Sequence, residues 1–127
     1  MDYQVVFNQV ALHLKKQGRQ ARNNKGCVYK TSDGLTCAIG CLMLDHEYHF
    51  EMEGIGMMEC IDFDYKAFHQ FFTRLGIMQV NRNNRNNCHI FLRRLQMVHD
   101  CDPISDWPWL LRKIAIDYNL SAVAVDN

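Results

Sequence analysis

The sequence predicts a mainly α-helical fold of the α+β class, with about five helices and one small β-hairpin. Two observations lead to this prediction. Apolar residues recur at three- and four-residue spacing in several segments, and an Asp-Gly pair separates two short apolar runs. The length of 127 residues and the hydrophobic content of 48% suit a single core. We therefore expect one globular domain over residues 1–120 and a flexible C-terminal tail over 121–127.

The first helix is expected over residues 2–17. Asp2 is a suitable N-cap, because its carboxylate accepts hydrogen bonds that the first turn leaves unpaired. Gly18 is a natural C-terminal stop, because glycine adopts the left-handed conformation that ends many helices. Five apolar residues form one stripe at helical spacing: Val6, Phe7, Val10, Ala11 and Leu14.

A hairpin is expected next. Residues 19–26 are polar and predict a loop, and residues 27–30 predict a short strand. The turn 31–34 contains an Asp-Gly pair, which suits positive backbone dihedral angles. Leu35 is therefore expected to begin a returning strand.

The apolar stretch 37–44 permits two interpretations, a strand or a buried helix. A short helix is favoured, because Cys37, Cys41 and Leu44 then share one face.

Glycines interrupt residues 45–60, so any helix there is expected to be short or broken. Longer helices are expected over 64–75, 87–99 and 105–118, because each carries an apolar stripe at helical spacing. An Asn-rich loop is expected over 81–87.

Charge and composition exclude several classes of protein. The chain has 14 basic and 14 acidic residues, so its formal net charge is zero. A general nucleic-acid binder needs an excess of Lys and Arg. No apolar run approaches the roughly 20 residues that span a bilayer, and the N-terminus lacks a basic region followed by an apolar stretch. We expect a cytoplasmic protein without a membrane partner, with its six cysteines reduced.

The neutral total conceals blocks of one sign. Residues 15–30 and 66–94 carry only positive charges, whereas 45–64 and 100–106 carry only negative ones. Such blocks either neutralise each other across the surface or form separate faces for charged partners. The acidic block is our candidate surface for a basic partner, and its candidate residues are Glu47, Glu51, Glu53, Glu59, Asp62 and Asp64.

A basic cluster gives the alternative function. Arg and Asn side chains are suitable donors to phosphate groups, so this cluster is a candidate for binding a nucleotide or a nucleic acid. A solvated surface is the competing interpretation. The four candidate residues are Arg82, Arg85, Arg93 and Arg94.

Two groups carry side chains with metal or catalytic chemistry. Cys27, Cys37, Cys41 and His46 offer the donors that zinc prefers, but the close spacing of most structural zinc sites is absent. Packed thiols are therefore preferred, and we expect no metal and no other cofactor. The adjacent pair at residues 99–100, His and Asp, resembles part of a metal phosphohydrolase site without its other ligands. We assign no catalytic residue and expect a protein that is not an enzyme.

Strings in both halves of the chain resemble one family. The first half contains Cys27-Val28-Tyr29, Asp33-Gly34-Leu35-x-Cys37-Ala38-Ile39-Gly40, Asp45, Tyr48 and Glu53-Gly54. The second half contains Leu92-x-x-Leu95-Gln96-x-x-His99-Asp100 and Trp107. Together, from about Phe7 to Leu120, these strings resemble a family of small phage and prophage proteins. Leu44 departs from the family pattern, in which proline is expected at that position.

The resemblance implies a bacteriophage or bacterial cytoplasmic setting and brings no established activity. Small phage proteins of this kind often bind and block a host machine, including defence systems. We therefore expect a non-enzymatic interaction protein that inhibits or redirects a host bacterial protein complex, of the anti-defence (anti-CRISPR-like) kind, with a target that handles nucleic acid.

Overall fold

The computed structural model describes residues 1–77, 87–101 and 103–126. The mainly α-helical fold with a small hairpin is confirmed in this part of the chain, where short 3-10 turns join the longer elements. The elements are α1 (Tyr3–Gln17), β1 (Arg22–Asn23), β2 (Gly26–Cys27), α2 (Met57–Asp62), α3 (His69–Leu75), α4 (Asn87–Asp100), α5 (Trp107–Asp117) and α6 (Val123–Asp126).

Helix α4 lies at the centre of the packing. It contacts α1, α2 and α5, and α6 packs between α1 and α5. The core is rich in phenylalanine, and Phe7, Phe71 and Phe91 are fully buried in it. Burying a large apolar side chain stabilises a fold by about 1.5–3 kcal/mol relative to leaving it exposed. None of the helices in the described ranges has the length and apolar content that crossing a bilayer requires.

The first helix begins and ends where the sequence predicts. The Asp2 carboxylate accepts a hydrogen bond from the Val5 N–H at 3.1 Å. Gly18 adopts a left-handed conformation with φ of 65°, and its N–H donates to the Leu14 carbonyl at 2.9 Å. The five apolar residues predicted for the buried stripe are all buried. Capping and periodicity therefore specify α1 locally.

The hairpin lies earlier in the chain than the sequence predicted. Strands β1 and β2 pair in antiparallel register, with Asn23 opposite Gly26, so the turn falls at residues 24–25. The polar segment 19–26 was expected to be a loop, yet it contains most of the sheet.

The predicted pairing of 27–30 with a strand after Leu35 is reduced to one bridge, between Lys30 and Thr36. The reason is that the N–H groups of Tyr29 and Lys30 donate to the Glu53 carboxylate, at 2.9 and 3.2 Å. The Glu53 side chain, from a distant segment, thus accepts hydrogen bonds from the backbone where a second strand was predicted to pair.

The helix expected over 37–44 is only a 3-10 turn at Gly40–Leu42. Backbone groups just before it bond to other segments: the Cys37 N–H donates to the Tyr29 carbonyl at 3.1 Å, and the Ile39 N–H donates to the Gln96 side chain at 3.2 Å. The short or broken helix expected over 45–60 is confirmed, as two 3-10 turns and the start of α2.

The later helices follow their predicted ranges closely, with 3-10 turns preceding α3 and α5. Apart from Asn87, the Asn-rich loop expected over 81–87 lies outside the described residues. The flexible tail expected over 121–127 needs correction, because α6 forms there and buries Ala124 and Val125. These two apolar side chains cover α1 and α5, which fixes the segment.

Candidate functional site

A cleft of about 180 Å³ lies beside the C-terminal end of α4. Its walls come from the end of β2, the glycine-flanked loop before α2, and the last two turns of α4. We call it the Asp100 cleft, and its lining residues are Cys27, Val28, Tyr29, Gly54, Ile55, Gly56, Gln96 and Asp100.

His99 lies beneath this cleft and is completely buried. Its Nε2 accepts a hydrogen bond from the backbone N–H of Ala21 at 2.9 Å. An acceptor at Nε2 requires the ring proton on Nδ1, and Nδ1 lies 2.7 Å from Asp100 Oδ1. The imidazole therefore donates to the carboxylate. Both ring nitrogens are used by the protein, so His99 has no nitrogen with which to move a proton in the cleft.

Trp107 holds the other side of this histidine. The two rings stack with centroids 5.9 Å apart, and the Trp107 indole N–H donates to the Cys101 carbonyl at 3.2 Å. Trp109, two residues later, is 63% exposed. The first tryptophan thus supports the site, and the second lies on the surface.

Asp100 is the last residue of α4, where a negative charge opposes the helix dipole. Two donors compensate: the His99 ring, and the Gln96 side-chain amide at 3.2 Å. The Asp100 side chain remains 43% exposed. The Asp100 charge therefore conflicts with the dipole of its own helix, and neighbouring donors hold it there. Such local conflicts are typical of functional sites.

Glu53 fixes the opposite wall of the cleft. Its carboxylate accepts from the N–H groups of Tyr29 and Lys30, and from the Tyr48 hydroxyl at 2.7 Å. Burial, with nearby acidic groups, raises the pKa of Tyr29 above its usual range, and its hydroxyl donates to the Ile55 carbonyl. These bonds tie the wall at Tyr29 to the loop that contains Ile55.

Cys27 supplies the one thiol among the described residues that line the cleft. Its sulfur, a His99 nitrogen and an Asp100 oxygen all lie within 4.8 Å of one another. Reactive thiolates form beside cations or at helix N-termini. Within the described ranges, Cys27 instead lies beside the Asp100 carboxylate at a helix C-terminus, an environment that disfavours a thiolate.

The same three residues form the one potential metal-ligand group of three or more within the described ranges. The hydrogen bond from Ala21 argues against a metal there. A neutral imidazole bound to a metal through Nδ1 carries its proton on Nε2, and that proton would face the Ala21 N–H. Two donors would then meet where the structure has a donor and an acceptor.

The metal candidates from the sequence do not form such a group. Cys37 is buried, and burial raises the pKa of its thiol to about 12, which keeps it protonated. Burial also raises the pKa of Cys41, whose sulfur donates to the Ala38 carbonyl at 3.1 Å. His46 is exposed. Of the four residues, Cys27 is the one that joins the Asp100 cleft.

Two of the predicted acidic contact residues are structural instead. Glu47 is 1% exposed and accepts hydrogen bonds from Arg74 Nε at 2.7 Å and from the Leu44 N–H at 2.8 Å. Glu53 is used in the cleft wall. These bonds leave neither carboxylate available to a partner. The sequence shows the sign of each charge but not its burial, which is why both residues were predicted as contact residues.

The remaining acidic candidates lie at the surface, except that the side chain of Asp62 is outside the described part of the chain. Glu51, Glu59 and Asp64 are exposed. Glu59 also accepts the Gly56 N–H at 3.3 Å, and Asp64 is hydrogen-bonded to His69.

The four arginines predicted to bind phosphate differ in their surroundings. Arg82 and Arg85 lie outside the described residues. Arg93 is exposed on α4. Arg94 pairs with Asp117 at 2.8 Å and lies over the Tyr118 ring, 5.6 Å from its centroid. The pair anchors α4 to α5, so Arg94 is not a readily available phosphate donor.

No family model, curated protein or solved structure matches this chain. The sequence shows the His-Asp pair but does not reveal that Gln96, Tyr29 and the Gly54–Gly56 loop lie beside it. One signal was present in the sequence: Asp100 at the end of a strongly periodic helix, where a basic residue is preferred.

Proposed function

We propose that this protein is a non-enzymatic interaction protein encoded by a phage or prophage. In this proposal, the segment 44–64 binds a basic region of a host protein complex that handles nucleic acid, and binding inhibits or redirects that complex. We call residues 44–64 the acidic segment.

The single observation that carries the proposal is the exposure of Phe50 beside Glu51. Phe50 is 80% exposed, on the 3-10 turn Phe50–Met52. Aromatic side chains are enriched in the centres of protein interfaces. An exposed ring next to an exposed carboxylate suits a partner surface with both apolar and basic groups.

Other residues of the acidic segment support the same interpretation. Leu44 and Phe63 are 47% and 55% exposed. Glu51, Glu59 and Asp64 are exposed in the same segment. Exposed acids of one sign speed the encounter with a basic partner and make association sensitive to salt.

The test is capture of partners from a bacterial lysate by the affinity-tagged chain, read by quantitative mass spectrometry. Phe50→Ala is expected to lose the partner, because an interface aromatic often contributes more than 1 kcal/mol. The matched control is Ile116→Ala, which removes a residue that is 78% exposed on α5.

A second pair of variants tests the charge. Glu51→Gln and the exposed-site control Gln70→Lys each raise the net charge by one. Glu51→Gln is expected to slow association and to weaken its salt dependence, while Gln70→Lys is expected to do neither. Equal capture by the wild type, Phe50→Ala and Glu51→Gln would show that the acidic segment is not the interface.

A second candidate function is nucleic-acid binding, supported by a basic surface different from the predicted arginine cluster. The end of α1 and the hairpin expose five basic residues with no acidic residue between them in the sequence. Several phosphate contacts give binding that weakens steeply with salt. The five residues are Lys15, Lys16, Arg19, Arg22 and Lys25.

Fluorescence anisotropy with a labelled oligonucleotide tests this candidate. The double variant Arg22→Gln and Lys25→Gln is expected to weaken binding and to reduce its salt dependence. The reason is that a protein with fewer phosphate contacts releases fewer counterions from the nucleic acid when it binds. Arg112→Gln, on α5, is the control. Binding that does not change with salt would exclude a phosphate interface.

A further inference from the structure

We propose that the Asp100 cleft binds the guanidinium or ammonium group of a basic side chain on the protein partner. This inference rests on the proposed function, because it names the group that the partner would place beside the acidic segment. The two sites are continuous, since Gly54, Ile55 and Gly56 belong to the acidic segment and also line the cleft.

The charge of the cleft selects a cation. The Asp100 carboxylate lies in its wall, at the C-terminal end of α4, where the carbonyl groups of the last turn add negative partial charge. None of the eight described residues that line it carries a positive charge. A phosphate or carboxylate ligand would meet repulsion there, whereas a cation would be attracted.

The carboxylate is also oriented before any ligand arrives. Both hydrogen bonds that Asp100 accepts from described residues end on Oδ1, one from His99 and one from Gln96. His99 is held in turn by Ala21 and by Trp107. Within the described ranges neither bond uses Oδ2, so this oxygen can face a ligand, and a fixed carboxylate loses little freedom on binding.

The size of the cleft suits a side-chain head group. Its volume of about 180 Å³ is smaller than the roughly 300–1,000 Å³ of pockets that hold drug-sized molecules. The half-buried Ile55 gives the wall apolar surface, which is favourable for the methylene stem of Arg or Lys. Gly54 and Gly56, on either side of Ile55, carry no side chains that would narrow the cleft.

An NMR titration of the full chain tests this assignment with three small probes: N-acetyl-arginine amide, N-acetyl-lysine amide and N-acetyl-citrulline amide. Citrulline has nearly the shape of arginine but no charge. At least one of the two cations is expected to shift the amide signals of Cys27, Gly54 and Gly56 in a saturable way, and citrulline is expected not to. This contrast needs no variant, so it does not depend on whether a mutant folds.

Asp100→Asn then tests the carboxylate. Asparagine keeps an oxygen that can accept from His99, so the fold is expected to persist, as shown by unchanged dispersion of the remaining signals. Loss of the charge-assisted contact is expected to weaken cation binding by about tenfold or more. Equal shifts with arginine and citrulline, binding unchanged in Asp100→Asn, or no saturable shift with either cation would each overturn the assignment.

This titration uses no partner protein, so its failure leaves the capture experiment to decide the proposed function separately. Conversely, cation binding in the cleft together with unchanged capture by Phe50→Ala and Glu51→Gln would support the cleft and contradict the acidic segment as the interface.

Discussion

The backbone N–H of Ala21 donates to Nε2 of His99 across 78 residues of sequence, at 2.9 Å. This hydrogen bond fixes the tautomer of a fully buried histidine and, through it, the position of the Asp100 carboxylate. It also joins the segment before the hairpin to the end of α4. One contact therefore supports both the fold and the candidate site.

Replacing His99 with Phe tests the structural part of this role. The variant leaves the Ala21 N–H without its acceptor and the Asp100 carboxylate without one donor. We expect a loss of about 2–4 kcal/mol in the free energy of unfolding, measured by urea denaturation. His46→Phe, at an exposed position, is the control. Equal stability of the two variants would contradict the account.

Gly40→Ala tests the close approach of two backbone segments. A Cβ at Gly40 would lie 2.1 Å from the Tyr29 carbonyl oxygen, so the segments must separate to admit a methyl group. We expect a loss of about 3 kcal/mol or more in unfolding free energy. Gly56→Ala is the matched control, because its Cβ would meet nothing closer than 3.9 Å. A Gly40→Ala protein as stable as Gly56→Ala would refute the contact.

The lowered pKa of Glu47 predicts how the free energy of unfolding changes with pH. Burial alone raises its pKa, but the hydrogen bonds from Arg74 and Leu44, with nearby positive charge, lower it below its usual value. A lowered pKa in the folded state adds stability that is present above the unfolded pKa of about 4.5 and is lost as the pH falls through the folded pKa. Glu47→Gln is therefore expected to lose less stability than the wild type on acidification below about pH 4.5.

Urea denaturation at several pH values measures this difference. Asp45→Asn is the control, because Asp45 is exposed and its nearest described cation, Lys30, is 3.9 Å away. Parallel pH profiles for Glu47→Gln and the wild type would mean that Glu47 does not contribute as described.

A chain ending at Leu120 tests the role of α6. It lacks the buried Ala124 and Val125, and also the two hydrogen bonds between Gln4 and Ser121. We expect the unfolding free energy to fall by about 2–4 kcal/mol, from the exposed apolar area and the lost bonds. A chain ending at Asp126 is the control. No difference between the two would restore the flexible tail that the sequence suggested.

Local signals explain which elements were predictable. Helix α1 has an N-cap, a C-terminal glycine and a full apolar stripe, and α4 has a clear stripe, so both were expected within about two residues of their observed bounds. The hairpin was misplaced because its strands are two residues long and carry no alternating apolar pattern. The predicted strand near Tyr29 was prevented by Glu53, 24 residues away.

The candidate site was less predictable for the same physical reason. Adjacency in the sequence makes His99 and Asp100 recognisable as a pair, but the hydrogen bond from Ala21 decides what the histidine can do. Likewise, Glu47 and Glu51 look equivalent in the sequence, yet one is paired with Arg74 in the interior and the other is exposed. Long-range partners, which one sequence does not display, separate structural charges from available ones.

The packing of α6 against the start of α1 has a consequence during synthesis. Gln4 and Ser121 lie 117 residues apart, so the ribosome releases α1 long before the segment that covers it. At about 5–20 residues per second, that interval is on the order of ten seconds. Throughout it, part of the apolar stripe of α1 faces solvent or a chaperone, which makes the nascent chain, rather than the finished fold, the form most exposed to aggregation.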